Sequence, residues 1–289
     1  MSRAYAEVIG DPIQQSKSPA IHGFWLKQLE IDADYRAHHV APQDLGDYLA
    51  SRRTDAGWRG CNVTMPHKQA VIAHLDRLDP LAARIGAVNT IVPQGGELVG
   101  YNTDAPGFLE PLAPLLARKH LFRMARVLGT GGAARAIVAA LAEQGMVIVL
   151  AGRDSAKARD LLDKLAPLRE GSAIEHHAID LAHFAHETQF AFDDREHCLD
   201  LIVNASSLGM LGQRPLVFDW SHAPPGAVVY DIVSTPLETE FLHTARRAGF
   251  RTVDGLAMLL GQADHAFARF FGVKPPRGED GVLRAMLGG

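Results

Sequence analysis

A lysine and an aspartate stand in two short polar motifs of this chain: Lys68 in Asn62-Val63-Thr64-Met65-Pro66-His67-Lys68, and Asp104 in Tyr101-Asn102-Thr103-Asp104. A lysine held by a carboxylate can pass a proton to or from an oxygen. A Gly-rich turn follows them, Gly129-Thr130-Gly131-Gly132-Ala133-Ala134-Arg135. Such a turn, placed between a strand and a helix, can hold a dinucleotide pyrophosphate. Together the motifs point to hydride transfer coupled to proton transfer at an alcohol or ketone carbon. Each also has a plainer role open to it. Lys68 can be a solvated surface lysine, Asp104 a cap for the helix after it, and the Gly-rich turn an ordinary connection. Ser16-Lys17-Ser18-Pro19 reads either as a helix entry with proline in first position or as two hydroxyls beside a helix N-terminus, able to hold a carboxylate.

The elements that must position these groups alternate. Strands are expected over residues 4–9, 35–40 and 59–63, and helices over 19–29, with Ser18 as N-cap, and 42–52. A helix over 66–75 would carry Pro66 in its first turn and Lys68 near its start. Residues 87–92 and 98–101 read as a hairpin across Gly95-Gly96. A second unit opens with a helix over 105–116, then a strand over 125–128, the Gly-rich turn, a helix over 133–144 and a strand over 147–151. That series is a dinucleotide-binding half-unit. Strands over 174–178, 199–204 and 227–231 would extend it into a doubly wound parallel sheet with helices on both faces. A long helix over Gly255–Phe271 has its apolar residues at helical spacing and can return to pack on the first unit. The expected organisation is therefore a discontinuous N-terminal α/β substrate domain, 1–104 with 254–289, and a Rossmann-like domain over 105–253.

Composition narrows the function class. The 289 residues exceed one typical domain length. At 47% hydrophobic and 21% charged residues, the chain has material for two modest cores. A formal net charge of −4 without a long basic run gives nucleic-acid binding no electrostatic support. The two cysteines, Cys61 and Cys198, lack paired spacing, which argues against a disulfide framework or zinc knuckle and for the cytoplasm. No signal peptide is read at residues 1–7, and no apolar stretch is long enough to span a membrane. The 14 histidines follow no metal-ligand spacing, so surface or hydrogen-bonded core roles are expected and no metal. A monomer or homodimer acting on a small molecule is the expected assembly.

The end of the strand after the Gly-rich turn chooses the cofactor. An acidic residue there binds a ribose 2′-hydroxyl, and basic residues accept a 2′-phosphate. The chain has Gly152-Arg153-Asp154-Ser155-Ala156-Lys157. Arg153 and Lys157 favour NADP; Asp154 suits a ribose hydroxyl, hence NAD, or a helix cap.

Over nearly its whole length the chain resembles the shikimate dehydrogenase family. The resemblance is carried by Ile9-Gly10-Asp11-Pro12-Ile13 with Ser16-Lys17-Ser18-Pro19, Gly60 through Lys68, Gly86-Ala87-Val88-Asn89-Thr90, Gly100 through Asp104, and Gly129 through Arg135. Asn204-Ala205-Ser206-Ser207-Leu208-Gly209-Met210 and Asp254-Gly255-Leu256-Ala257-Met258-Leu259 with Gln262 complete it. It implies reversible NADP-linked reduction of 3-dehydroshikimate to shikimate, toward aromatic amino acids. It implies Lys68 as the acid/base group and Asp104 as its partner and a substrate ligand. Ser16 and Ser18 would hold the substrate carboxylate. Thr64, Asn89 and Gln262 would contact ring hydroxyls or carboxylate, with Asn62 nearby. Gly129, Thr130, Gly131, Gly132 and Ala133 would cradle the pyrophosphate, Arg153 and Lys157 the 2′-phosphate, and Ile232 and Gly255 would lie near the nicotinamide. The chain departs from the family pattern at three places: Gln15 for the usual histidine, Gly152-Arg153-Asp154 for Asn-Arg-Thr, and Ser234 for a substrate-contacting tyrosine. Ser234 and Asp154 raise one alternative, a quinate/shikimate dehydrogenase or related paralogue using NAD; a second, of another class, is a non-catalytic dinucleotide-binding sensor, against which the retained Lys68, Asp104 and polar set argue.

Overall fold

The structure is a computed structural model that describes residues 3–168, 174–193 and 195–288. Met1 and Ser2, read above with the N-terminus, lie outside these residues. The chain divides into two compact units, Met1–Gly107 with Leu259–Gly289, and Phe108–Met258. The joints expected at 104/105 and 253/254 give way to divisions inside two helices, Asp104–Leu109 and Gly255–Phe271.

The first unit is built on a mixed six-stranded sheet. Its strands are β1 (Ala4–Gly10), β2 (Ala33–His39), β3 (Trp58–Val63), β4 (Arg77–Leu78), β5 (Thr90–Gln94) and β6 (Glu97–Tyr101), in the order β2-β1-β3-β5-β6-β4. β1 runs parallel to β2 and β3; β5 turns antiparallel to β3 and pairs with β6 through the Gly95-Gly96 hairpin. Tyr5, Ile9, Trp58, Cys61, Val63 and Ile91 pack one core, and Trp25, Phe267 and Phe270 bring the last long helix onto helix Ser18–Gln28.

The second unit is a six-stranded, all-parallel sheet: β7 (Phe122–Leu128), β8 (Val147–Gly152), β9 (His177–Asp180), β10 (Cys198–Asn204), β11 (Val228–Asp231) and β12 (Arg251–Val253), ordered β12-β11-β10-β7-β8-β9. This is the doubly wound order, with its topological switch between β7 and β10. Leu201, Ile202, Val203 and Asn204 are all buried, the continuous pattern of a strand covered on both faces.

Four local expectations are corrected. Residues 66–75 do not form a helix. The Lys68 carbonyl accepts from Val88 N at 2.7 Å instead of from the next helical turn, so residues 65–69 run as turns ahead of a short 3₁₀ segment, Ala70–His74. Ser18 is not an N-cap; helix Ser18–Gln28 begins at it, behind Lys17, whose side chain makes no capping bond. The helix expected over 105–116 breaks into Asp104–Leu109, a 3₁₀ turn Glu110–Leu112, and Ala113–Leu116, because Pro111 and Pro114 have no N–H to donate. The strand expected over 174–178 starts at His177, since Ile148 N donates to the His176 ring nitrogen Nδ1 (3.1 Å) where a strand backbone would have accepted.

Candidate active site

In the first unit the carboxyl ends of β1 and β3 meet: Thr64 N donates to Ile9 O at 2.9 Å and Asp11 N to Met65 O at 3.0 Å. The turn beyond β3 carries Lys68. Its carbonyl is pinned by Val88 N, and the next residue, Asn89, leads into β5. Asp104 opens the helix Asp104–Leu109 just beyond β6. The cap of that helix is Asn102, whose Oδ1 accepts from Asp104 N (3.1 Å) and Ala105 N (3.3 Å) while its Nδ2 donates to Ala87 O. The Asp104 carboxylate is thereby released from capping duty.

That carboxylate is held at both oxygens. Lys68 Nζ donates to Oδ2 at 2.6 Å, and Asn89 Nδ2 donates to Oδ1 at 2.9 Å. The two ion-pair partners are 15% and 6% exposed, so a charge-assisted bond is kept largely from water. Asn89 is itself fixed: its Oδ1 accepts from Thr103 N (2.7 Å) and Thr90 Oγ1 (3.1 Å), and its Nδ2 reaches Gln262 Oε1 at 3.4 Å. Gln262 gets this close because Gly107 has no Cβ; one there would lie 2.5 Å from Gln262 N. A rigid amine–carboxylate pair among short polar side chains can move a proton at a substrate oxygen and hold several hydroxyls.

The sequence-predicted residues of this unit come together to different degrees. Lys68, Asp104, Asn89 and Gln262 form one hydrogen-bonded cluster. The Asn62 amide is committed inside the protein: Oδ1 accepts from Tyr35 Oη at 2.6 Å, and Nδ2 donates to Asn89 O and Thr90 Oγ1. Ser16 Oγ accepts from Ser18 N at 3.3 Å, and Ser18 is buried with its hydroxyl toward the Tyr35 phenol. Thr64 sits half-buried past β3, with Gly10 close against its methyl group. Tyr35, Thr90, Thr103 and Asn102 were not assigned roles from sequence. Thr90, Thr103 and Asn102 carried a signal, each adjoining a candidate in a motif; Tyr35, from a different strand, carried none.

The second unit presents another kind of site. The turn after β7 enters helix Gly132–Glu143, whose N-cap Gly131 supplies no side-chain bond. Its first backbone N–H groups therefore face outward at the positive end of the helix dipole, a ready anion cradle. Gly129 has φ +125°, and a Cβ on it would lie 2.8 Å from the Ala205 carbonyl, so only glycine allows the ends of β7 and β10 to approach. Apart from its chain neighbours, no described residue lies within 4 Å of where a Cβ of Gly131 would be. Thr130 packs its methyl against Gly152 at the end of β8. Arg153 and Lys157 are exposed, and neither side chain has a hydrogen bond or ion pair among the described residues. Asp154 is a helix cap: its Oδ1 accepts from Ala156 N and Lys157 N at the start of helix Ser155–Leu165.

Beyond β11, Ile232 N donates to Asn204 O, and the Ile232 and Val233 carbonyls crowd Gly255, 2.5 and 2.3 Å from where its Cβ would be. Sequence reasoning named Ile232, Gly255 and Ser234, here half-buried, but passed over what holds the loop. That is Asp231, whose carboxylate accepts from Asn204 Nδ2 (3.0 Å), Val233 N (3.0 Å) and Thr239 Oγ1 (2.6 Å). Burial pushes the Asp231 carboxyl up to about 6, against the pull of these three bonds. Among the described residues no group of His, Cys, Asp and Glu could hold a metal ion. His67, His176 and His222 each hydrogen-bond to backbone.

Residues 8–91 match the family model described as the shikimate dehydrogenase substrate binding domain. The shikimate dehydrogenase (NADP(+)) of Sphingopyxis alaskensis is 49% identical over 286 residues, 98% of this chain and 96% of that protein. Among solved structures, a shikimate dehydrogenase in complex with NADP+ superimposes with a TM-score of 0.84 at 30% identity, covering 99% of this chain and 96% of the other. The Thermus thermophilus enzyme, solved with NADP(H) and shikimate, gives 0.79 at 34% identity, covering 98% of this chain and 100% of the other.

Proposed function

The chain belongs to the shikimate dehydrogenase family, and from that premise we propose that it catalyses the reversible NADP-linked reduction of 3-dehydroshikimate to shikimate, on the route to chorismate and the aromatic amino acids. The observation that carries the reading is the Lys68–Asp104 pair, 2.6 Å apart and shielded, with Asn89 on the second carboxylate oxygen. When bound, NADPH supplies the hydride for the ketone carbon. The electron pair of the C=O bond then moves onto oxygen, and the Lys68 ammonium gives that oxygen its proton. Asp104 keeps the ammonium aimed and steadies its charge before transfer. In the oxidation direction Lys68, as the free amine, takes the hydroxyl proton back. A positioned acid or base contributes roughly 10²–10⁴-fold in rate.

The remaining residues of the first unit suit a polyhydroxylated acid. Ser16, Ser18, Thr64 and Gln262 offer short donors and acceptors for a carboxylate and ring hydroxyls. In the second unit the uncapped helix N-terminus and the open Gly131 fit a pyrophosphate, and Arg153 and Lys157 fit a 2′-phosphate. With Asp154 turned to its helix, the acidic residue that would favour NAD is engaged elsewhere, which supports NADP. The substrate domain is assigned to the first unit and the NADP domain to the second. Two free cysteines, Cys61 buried and Cys198 half-buried, suit the reducing cytoplasm.

A second reading, quinate in place of or beside shikimate, is favoured by Ser234, whose small side chain leaves room where the family's tyrosine would stand. The test is initial-rate oxidation of shikimate and of quinate by purified protein, each with NADP and with NAD. Fast turnover confined to shikimate with NADP supports the proposal. Quinate turnover or a preference for NAD moves the chain to a paralogous branch, and tight cofactor binding without oxidation of either acid makes it a sensor.

A further inference from the structure

We infer that Tyr35 is a positioning residue for the Lys68–Asp104 pair and acts on it through a file of aligned hydrogen bonds. The inference rests on the proposed role of that pair. The file runs without a gap. Tyr35 Oη donates to Asn62 Oδ1 (2.6 Å), Asn62 Nδ2 to Thr90 Oγ1 (3.0 Å), Thr90 Oγ1 to Asn89 Oδ1 (3.1 Å), and Asn89 Nδ2 to Asp104 Oδ1 (2.9 Å). Lys68 Nζ closes it from the other side of the carboxylate at 2.6 Å. Every donor points toward Asp104.

The polarity has consequences. Two amides stand in the file, so it is not a route for proton hopping. It is a row of dipoles with their positive ends toward one carboxylate, and bonds arranged in this way strengthen one another at low dielectric. Asn62, Asn89, Thr90 and Asp104 are all buried, 4%, 2%, 0% and 4% exposed. Backbone bonds set which way each amide faces: Asn62 Nδ2 also donates to Asn89 O (3.2 Å), and Asn89 Oδ1 also accepts from Thr103 N (2.7 Å). The Tyr35 hydroxyl is the donor that holds Asn62 Oδ1. Without it the Asn62 amide is anchored at Nδ2 alone, and a tilt there loosens its bond to Thr90 Oγ1 and, through that hydroxyl, the hold of Asn89 on Asp104.

Tyr35 is also built to stay where it is. Its ring stacks on His22 with centroids 3.9 Å apart and planes 4° from parallel, with Phe270 tilted against it. His22 is fully buried, its two ring nitrogens have no hydrogen-bond partner among the described residues, and burial pushes its pKa down to about 3. It stays an uncharged ring at working pH and serves as one face of an aromatic clamp on the phenol. Burial likewise holds the Tyr35 hydroxyl in its protonated, donating form.

The test uses Tyr35→Phe, which removes only the hydroxyl, and Thr90→Val, which cuts the file in the middle. Each variant is first checked for a cooperative thermal melt. Each is expected to lose roughly three- to tenfold in kcat, the rate equivalent of one hydrogen bond, with the KM for the cofactor unchanged. The double variant is expected to lose no more than the worse single one, since both break the same file. Thr90→Ser, which keeps the hydroxyl, should recover most of the rate lost in Thr90→Val. Independently of turnover, the Asn89 side-chain amide protons should exchange with solvent faster in Tyr35→Phe, as read by ¹H–¹⁵N spectra. Wild-type kcat in Tyr35→Phe, or losses that multiply in the double variant, overturn the inference. Normal turnover in Lys68→Ala would instead overturn the reading of the pair, and the amide exchange would still decide whether the file exists.

Discussion

The two functional regions of this chain treat their polar groups in opposite ways. Around Lys68 and Asp104 the described side chains bond one another: the lysine has a carboxylate, the carboxylate has an amide, and the amide has two hydroxyls and a backbone N–H. At the Gly-rich turn the donors point outward. The N-terminus of helix Gly132–Glu143 lacks a side-chain cap, and Arg153 and Lys157 stand exposed. The contrast suits the two jobs proposed for them. Proton transfer needs an acid already aimed when the substrate comes, so its partners are built in. Phosphate binding needs donors to spare, because the ligand supplies the acceptors. The first region spends its hydrogen bonds on its own geometry, and the second keeps its own for a partner.

The largest expected effect comes from disturbing the pre-built region. Asp104→Asn should lower kcat by roughly 10²–10⁴-fold. It should also lower the melting temperature, since breaking a shielded ion pair costs about 3–5 kcal/mol. If turnover and melting both stay at the wild-type values, the pair is neither pre-built nor needed.

Next in size is a change in the open region. Arg153→Ala should weaken NADP roughly ten- to a hundredfold while leaving NAD nearly unchanged, as expected for a charged hydrogen bond to a phosphate. The chain should melt as before, because no other described residue leans on this side chain. Equal losses for the two cofactors, measured by calorimetry, would mean that Arg153 does not read the phosphate.

The smallest effect on turnover is expected at Asp231, which belongs to the second unit but is built like the first. Its folded pKa, about 6, lies above the ordinary 3.8. Between these values the folded chain holds a proton that the unfolded chain has released. Stability from this group is therefore present at low pH and is lost as pH rises through about 6, at up to about 1.4 kcal/mol per pH unit. Asp231→Asn removes the titration. Its melting temperature should fall less than that of the wild type from pH 4 to pH 6.5 or so. Parallel curves for the two proteins would contradict this.

How much of this was legible in the sequence depended on whether a residue acts through its own motif or through space. The Gly-rich turn after β7, and Arg153 and Lys157 after β8, were readable as candidates because each set lies in a short run of residues at a strand end. The parallel, doubly wound sheet of the second unit followed from its alternation of strand and helix; its strand order came from the structure. Lys68 and Asp104 were readable as types, but their surroundings were not. The helix drawn through Lys68 failed because Val88, from a distant segment, takes the Lys68 carbonyl. Asp104 kept two readings until Asn102 proved to be the cap. Asp154 also kept two, and the structure shows its Oδ1 capping the next helix. Asn62 was expected near substrate, yet its amide is bound up with Tyr35 and Thr90, from β2 and β5. No local pattern announces such a partner, because the pairing is made by the sheet and not by the chain.

In the proposed mechanism Lys68, held by Asp104, is the proton donor and acceptor of the reaction. Single-turnover reduction of 3-dehydroshikimate by NADPH, in wild type and in Lys68→Ala, tests this most directly, with the dissociation constant of each ligand measured on the same preparations. Lys68→Ala is expected to bind both ligands nearly as well as wild type and to react roughly 10²–10⁴-fold more slowly. A wild-type rate in Lys68→Ala, or a loss wholly explained by weaker binding, would contradict the role given to this lysine.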